Sequence, residues 1–197
     1  MQEIEKELIV RAGAGDMVAF REVYQKASGF VYALAYRITG RKHDAEEVTQ
    51  DVFLKLHKEL CSFKFESSFK TWLYRVAVNT ALNAVKKRNR VSGREVEYDE
   101  PVPAGITVTA TVTRNIEEED MQRQLKVLLD QLNPDQRACL VLREIDGLDY
   151  QAIAQSLGIN INTVRSRLKR AREALMLLGQ AQGSIEKGRL ERVGSSR

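Results

Sequence analysis

The sequence predicts an all-α chain: two small helical domains joined by a flexible acidic linker. Three observations carry that expectation. The 197 residues include only three prolines, so long helices can run unbroken. Apolar residues recur every three to four positions through two long stretches. Between them, from Asn89 to Met121, the periodicity stops at Pro101, Pro103 and Gly105 and gives way to a Thr/Val run from Ile106 to Thr113. The expected division is residues 1–90, a linker over 91–119, a second domain over 120–178 and a disordered tail over 179–197 rich in Gly, Ser and charge.

In the first domain, Asp16 reads as the N-cap of a long helix. Its apolar positions Phe20, Tyr24, Val31, Leu34 and Ile38 fall on one helical face, and Gly40 ends it. Asp44 reads as a second N-cap, with Glu46 and Glu47 in a first turn that favours acids. Val48, Val52, Leu56 and Leu60 then form a four-residue stripe. Phe63 to Phe69 is an aromatic, Ser-rich break before a third helix over Lys70 to Arg90. The segment from Asn89 to Met121 holds eight acidic residues against three arginines, and its Val/Thr alternation has no partner strand to pair with. Helical patterning resumes near Glu117, with Asn133 and Pro134 as a cap and first-turn pair.

Composition narrows the functional classes. The chain is 43% hydrophobic and 29% charged, with a net charge of +4. Cys61 and Cys139 are the only two cysteines and make no disulfide framework. The first eleven residues lack the apolar core of a signal peptide, and no run reaches the roughly 18 apolar residues of a membrane span. A reduced cytoplasm, without membrane insertion, is the expected setting. No Gly-rich phosphate cradle and no nucleophile–base pair is visible, so neither catalysis nor a cofactor is expected. His57 and Cys61 stand four apart on one helix, but two ligands are too few for a metal centre.

Two motifs point to nucleic acid. Residues 150–168 read YQAIAQSLGININTVRSRL, with Ala154, Gly158 and Val164 at helix-turn-helix spacing. Ala154 lets the second helix approach, Gly158 permits a left-handed turn, and Val164 packs back on Ile153 and Leu157. Asn162 is the expected cap of the second helix, which presents Arg165, Ser166, Lys169, Arg170 and Arg172 with only Leu168 buried among them. Such a helix fits a major groove, where arginine reads guanine edges. The second motif is the basic helix over Lys70–Arg90, which has six Lys/Arg and no acidic residue. Trp72, Arg75, Asn79, Asn83 and Lys86 share a face suited to unstacked bases: an aromatic for stacking, amides for base edges, cations for phosphates. The loop before it, with Phe63, Phe65, Ser67, Ser68 and Phe69, could cup an extruded base. A conventional helix-turn-helix regulator is the rival reading, and the single-strand face argues against it.

The strings HDAEEVTQDVFLKLHKEL, SSFKTWLYRVAVNTALNAVKKRNR and LNPDQRACLVLREIDGLDYQAIAQSLGININTVRSRLKRAREAL resemble regions 2 and 4 of the sigma-70 family. More narrowly they resemble its extracytoplasmic-function (ECF) group, which keeps only those two domains; the resemblance covers about residues 5–90 and 120–178. It implies a factor that binds core RNA polymerase, through the coiled coil of the largest subunit and the flap, and directs initiation at promoter DNA. The segment gripping the coiled coil would use Asp44, Glu47, Gln50, Asp51, Val52, Phe53 and Leu56. The Phe63–Phe69 loop and the Trp72/Arg75/Asn79/Asn83/Lys86 face would melt and capture the −10 element. Thr163, Arg165, Ser166, Lys169, Arg170 and Arg172 would read the −35 element. The acidic linker would follow the RNA exit path. The resemblance also implies control by an anti-sigma factor and a response to stress or to the cell envelope.

Overall fold

The computed structural model describes residues 4–92 and 127–194, with side chains to residue 178. Every regular element among them is helical. The N-terminal half has α1 (Lys6–Gly13), α2 (Met17–Thr39), α3 (Lys42–Glu59), a short 3-10 turn (Leu60–Ser62) and α4 (Phe69–Val91). The C-terminal half has a helical turn over 127–130, α5 (Pro134–Leu140), a wider π-type turn (Val141–Ile145), α6 (Tyr150–Leu157) and α7 (Ile161–Gly194). Most of the linker, with its Thr/Val run, lies outside the described residues.

Helix starts follow local hydrogen-bond demand. Asp16 caps α2, its Oδ1 accepting from the amides of Val18 (2.9 Å) and Ala19 (3.0 Å), while Arg11 grips Oδ2 at 2.6 Å. The Ala19 amide and then Arg11 hold this carboxyl below its usual range. Gly40 closes α2 at φ 72°, a left-handed conformation in which an added side chain would also strike Asp130. Ser68 caps α4 through the Thr71 amide (3.0 Å), Asn133 caps α5 (2.9 Å) and Asp149 caps α6 (2.7 Å).

Some elements depart from the sequence expectation. Asp44 is not a cap: α3 starts two residues earlier at Lys42, and Asp44 turns inward to bond Arg88 of α4. A partly buried partner on the neighbouring helix outcompetes the local amides. Asn160, not Asn162, caps α7, accepting from the Asn162 amide at 2.8 Å, because Gly158 and Ile159 already complete the turn. Tyr24 is 45% exposed and Phe20 half-buried. The buried stripe of α2 is Ala19, Val23, Ala27, Val31, Leu34 and Ile38, whose small members let α1 and α3 approach closely. The backbone of α7 stays helical to Gly194, where composition suggests a disordered tail; the segment 180–192 is rich in helix-forming Gln, Ala, Glu, Lys, Arg and Leu.

The two halves share one continuous core, and polar contacts cross between them. Arg137, 5% exposed, donates to the carbonyl of Ile38 (3.0 Å) and to Asp130 (2.9 Å), so a cation of the C-terminal half satisfies the end of α2. Removing it strands a buried carbonyl, a loss of about 1–3 kcal/mol. Arg137→Ala should therefore undock the halves, read as a larger radius of gyration in small-angle scattering; an unchanged radius would show that Arg137 does not hold them.

Candidate nucleic-acid interface

The helix-turn-helix assembles around one apolar contact. Ile153 of α6 and Val164, Leu168 and Ala171 of α7 are all at most 1% exposed, and Gly158 makes the turn at φ 64°. With that stripe buried, Arg165, Ser166, Lys169 and Arg170 fall on the exposed face, and Thr163 is half-buried beside them. Arg165 is steadied by Asn162 Oδ1 (3.0 Å), and Ser166 bonds back to the Thr163 carbonyl (3.0 Å). Arg172 is exposed but held by Glu144, 2.7 Å away in the turn between α5 and α6. Arg167 faces inward, 3.7 Å from Asp135.

The aromatic loop folds into a cluster. Phe63 lies 4.7 Å from Phe65, 5.2 Å from Trp72 and 6.0 Å from Phe69, centroid to centroid. Phe69 and Trp72 are each 7% exposed, so both are interior; Phe63 and Phe65 stay half-exposed. Trp72 thus does not share the surface of Arg75 and Asn83, which are exposed. It sits in the first turn of α4, where a long side chain leans toward the N-terminus and onto the loop. The loop and the start of α1 enclose an open cavity of about 540 Å³, with Ser67 and Ser68 on its rim.

Further along α4 the face is shared with the C-terminal half. The Asn79 amide donates to the Ser156 carbonyl of α6 (3.4 Å). Lys86 lies 3.5 Å from Asp135, which is 6% exposed. On the other side of the junction Arg37 meets Asp146 at 3.5 Å.

On α3, Val52 and Leu56 are fully buried and Phe53 is 6% exposed, whereas Glu47, Gln50 and Asp51 are exposed. The apolar surface is instead supplied by Leu54, 54% exposed, and by Tyr24 of α2, with its ring 4.6 Å from Phe53. Phe20, Tyr32 and His57 complete this groove. Sequence reasoning missed Leu54 and Tyr24; the signal was Leu54 falling outside the four-residue stripe. His57 packs edge-on against Phe20, and Cys61 is exposed. Cys139 is buried, its thiol pushed up to about 11 by burial, so it serves as a small core hydrophobe. His43, Asp44 and Glu47 are close together, but Arg88 already engages Asp44.

Comparison with known proteins agrees with this layout. Residues 23–91 match the Sigma-70 region 2 family, and residues 122–175 match Sigma-70, region 4. The chain is 31% identical over 186 residues to the ECF RNA polymerase sigma factor SigW of Bacillus subtilis, covering 89% of this chain and 96% of that one. It is 33% identical over 160 residues to the ECF RNA polymerase sigma factor SigE of Mycolicibacterium smegmatis, covering 81% of this chain and 61% of that longer one. Among solved structures it resembles the sigma factor RpoE of Bartonella quintana, crystallised with the anti-sigma factor NepR: TM-score 0.60, 26% identity, 82% of this chain and 96% of that one.

The junction carries a pH dependence. Burial raises the Asp146 carboxyl above its usual range, against the opposing pull of Arg37 and Lys70, and its Oδ2 is buried with no hydrogen-bond partner. Tyr74 of α4 also faces it, its own phenol raised by burial. A carboxyl with a raised pKa in the docked state favours docking at low pH and loses that contribution as pH rises through the raised value. Compactness by scattering should increase as pH falls from 7 toward the ordinary carboxylate range, and Asp146→Asn should flatten the response. An equal response in the variant would remove Asp146 as its source.

Proposed function

We propose a division of labour within a chain that belongs to the sigma-70 family, in its ECF group: α7 anchors the upstream promoter element while the α4 loop captures separated strands downstream. The chain binds core RNA polymerase and directs promoter-specific initiation. One observation supports the division of labour: an exposed basic face of α7 and a cavity beside the aromatic loop stand on one chain. The exposed α7 face, through Arg165, Ser166, Lys169 and Arg170, suits the major groove of the −35 duplex. Thr163 and Arg172 flank it. The cavity beside Phe65, Ser67 and Ser68, with exposed Arg75 and Asn83 along α4, suits unpaired bases of the −10 element and their phosphates. Phe63, Phe69 and Trp72 support that loop from inside.

Asn79 and Lys86 engage the C-terminal half, so the free chain has its single-strand face partly covered. Core polymerase would hold the halves apart and uncover it. Docking on the largest subunit's coiled coil would use exposed Glu47, Gln50 and Asp51 around Leu54, with Phe53 and Tyr24 at the groove edge and Val52 and Leu56 holding α3 in place. Asp44, paired with Arg88, fixes α3 against α4. The flap would receive the C-terminal half. Strand opening then draws on binding energy, and the chain itself performs no catalysis. Among the described residues no helix is long and apolar enough to cross a membrane, which suits a cytoplasmic factor. An anti-sigma protein of the kind bound to the Bartonella relative would hold the chain inactive until a stress or envelope signal arrives.

Run-off transcription with purified core enzyme tests the reading directly, and absence of specific initiation from any genomic fragment would sink it. Arg170→Ala should weaken duplex −35 binding by holoenzyme by about 1–3 kcal/mol and leave core binding intact. Leu54→Glu should do the reverse: weaker association with core in a pull-down, with the isolated fold unchanged by circular dichroism. Unaltered core binding would remove the α2–α3 groove from the interface.

A further inference from the structure

We propose that α1, which lies before the segment matched to region 2, is the outer wall of the base pocket, and that Glu5 and Lys6 help decide which base it accepts. This rests on reading the Phe63–Phe69 loop as the seat of an extruded base. The cavity has two sides. Residues 65–69 form one, and Ile4, Glu5, Lys6 and Ile9 form the other. Ile4 and Ile9 are buried and, with Phe69, give the cavity an apolar floor. Glu5 and Lys6 are exposed at its mouth. Glu5 occupies the N-cap position of α1 but makes no capping bond, so its carboxylate is not committed to the helix.

Two further features show a built wall. Phe65 is the only non-glycine among the described residues with a left-handed backbone, at φ 57°. That conformation is costly for a phenylalanine, and such residues concentrate where a side chain must be aimed. The Lys6 ammonium sits 4.9 Å from the centre of its ring, a cation–π contact that ties α1 to the tip of the loop. The second feature is how α1 itself is fixed. Gly13 abuts the turn that begins the loop; a Cβ there would lie 2.9 Å from the Leu60 carbonyl oxygen. Leu8, Ile9 and Ala12 are buried, and Arg11 clasps the cap of α2. The helix is part of the frame that carries the loop.

The pocket chemistry indicates its preference. An ionised carboxylate only accepts hydrogen bonds. Glu5, with Glu66 opposite, therefore favours a base edge bearing an exocyclic amine, as on cytosine or adenine, and opposes thymine, which presents a carbonyl oxygen there. Lys6 offers a cation to the phosphate beside the captured base.

Holoenzyme reconstituted with full-length chain is assayed by run-off transcription on templates carrying each of the four bases at each −10 position in turn. The wild type should prefer an amino-bearing base over thymine at one position. Glu5→Gln should narrow that preference about fivefold or more and leave every other position unchanged. Lys6→Ala should lower open-complex formation, read by permanganate footprinting, without changing duplex −35 affinity. Glu7→Gln, exposed on the same helix but away from the pocket, should match the wild type. If Glu5→Gln and Lys6→Ala both coincide with Glu7→Gln while Phe65→Ala flattens base preference, α1 has no part in reading and the inference falls. If Phe65→Ala also leaves preference untouched, the base-capture reading itself fails, and this inference with it.

Discussion

Helix α4 has more duties than a helix has faces, and the rest of the molecule is arranged around that constraint. One stripe, Leu73, Ala77, Val78, Ala81 and Val85, is buried in the core with α2 and α3. Its first turn anchors the aromatic loop through Phe69 and Trp72. Its last turn reaches Asp44 through Arg88. What remains is a single polar strip carrying Arg75, Asn79, Asn83 and Lys86. That strip is available to a partner, but to one partner at a time. The C-terminal half already takes Asn79 and Lys86 from it. Occupation by the C-terminal half and the proposed occupation by a separated DNA strand are alternatives by simple exclusion.

The chemistry of the junction suits exchange. Its polar contacts are a long amide–carbonyl bond at 3.4 Å and ion pairs at 3.5 Å, together with Arg137, the one deeply buried cation among them. Such polar contacts, set around the shared apolar core, are of the kind found in transient interfaces. Asp135 gathers Lys86 and Arg167 around one carboxylate, and Asp146 meets Arg37 with one oxygen left unpartnered. A phosphate could replace a carboxylate beside Lys86 without changing the sign of the interaction. The polar part of the junction is therefore held by groups that nucleic acid can compete for, while the apolar core that the two halves share must divide when they part.

Most of the fold was legible in the sequence because it depends on local rules: the Asp16 cap, the Gly40 and Gly158 turns and the Val48–Leu60 stripe are each fixed by neighbours within one or two turns. The failures have a common cause, which is competition from distant residues. Asp44 reads as a cap only until Arg88, 44 positions away, is known to reach it. Trp72 shares helical spacing with Asn79 and Asn83, but spacing gives the Cα position and not the lean of the indole. Tyr24 and Leu54 look like core and noise until α2 and α3 are packed. The docking of the halves leaves no periodic trace, since Asn79 and Ser156 are 77 residues apart. The helix-turn-helix face was legible because its basic residues cluster within the first turns of α7, whereas the wall formed by α1 depends on tertiary placement alone.

The two surfaces proposed to read DNA differ in how far the free chain presents them, and that difference has a consequence for specificity. The α7 face stays open when the halves are docked, with Arg165 and Lys169 already steadied by Asn162 and Glu173. A basic helix face with so few cations would bind duplex largely through phosphate neutralisation, which is weak and salt-sensitive. The α4 strip is partly covered, and separated strands, the substrate proposed for it, are rare in duplex DNA. Neither surface alone gives a tight, selective complex. Joined through polymerase, the second contact becomes intramolecular, and its strength then depends on effective concentration set by the spacing between the halves. On the proposed function, keeping the halves docked until polymerase separates them would limit unproductive binding along the genome, and the weakness of each surface would become part of how the promoter is recognised.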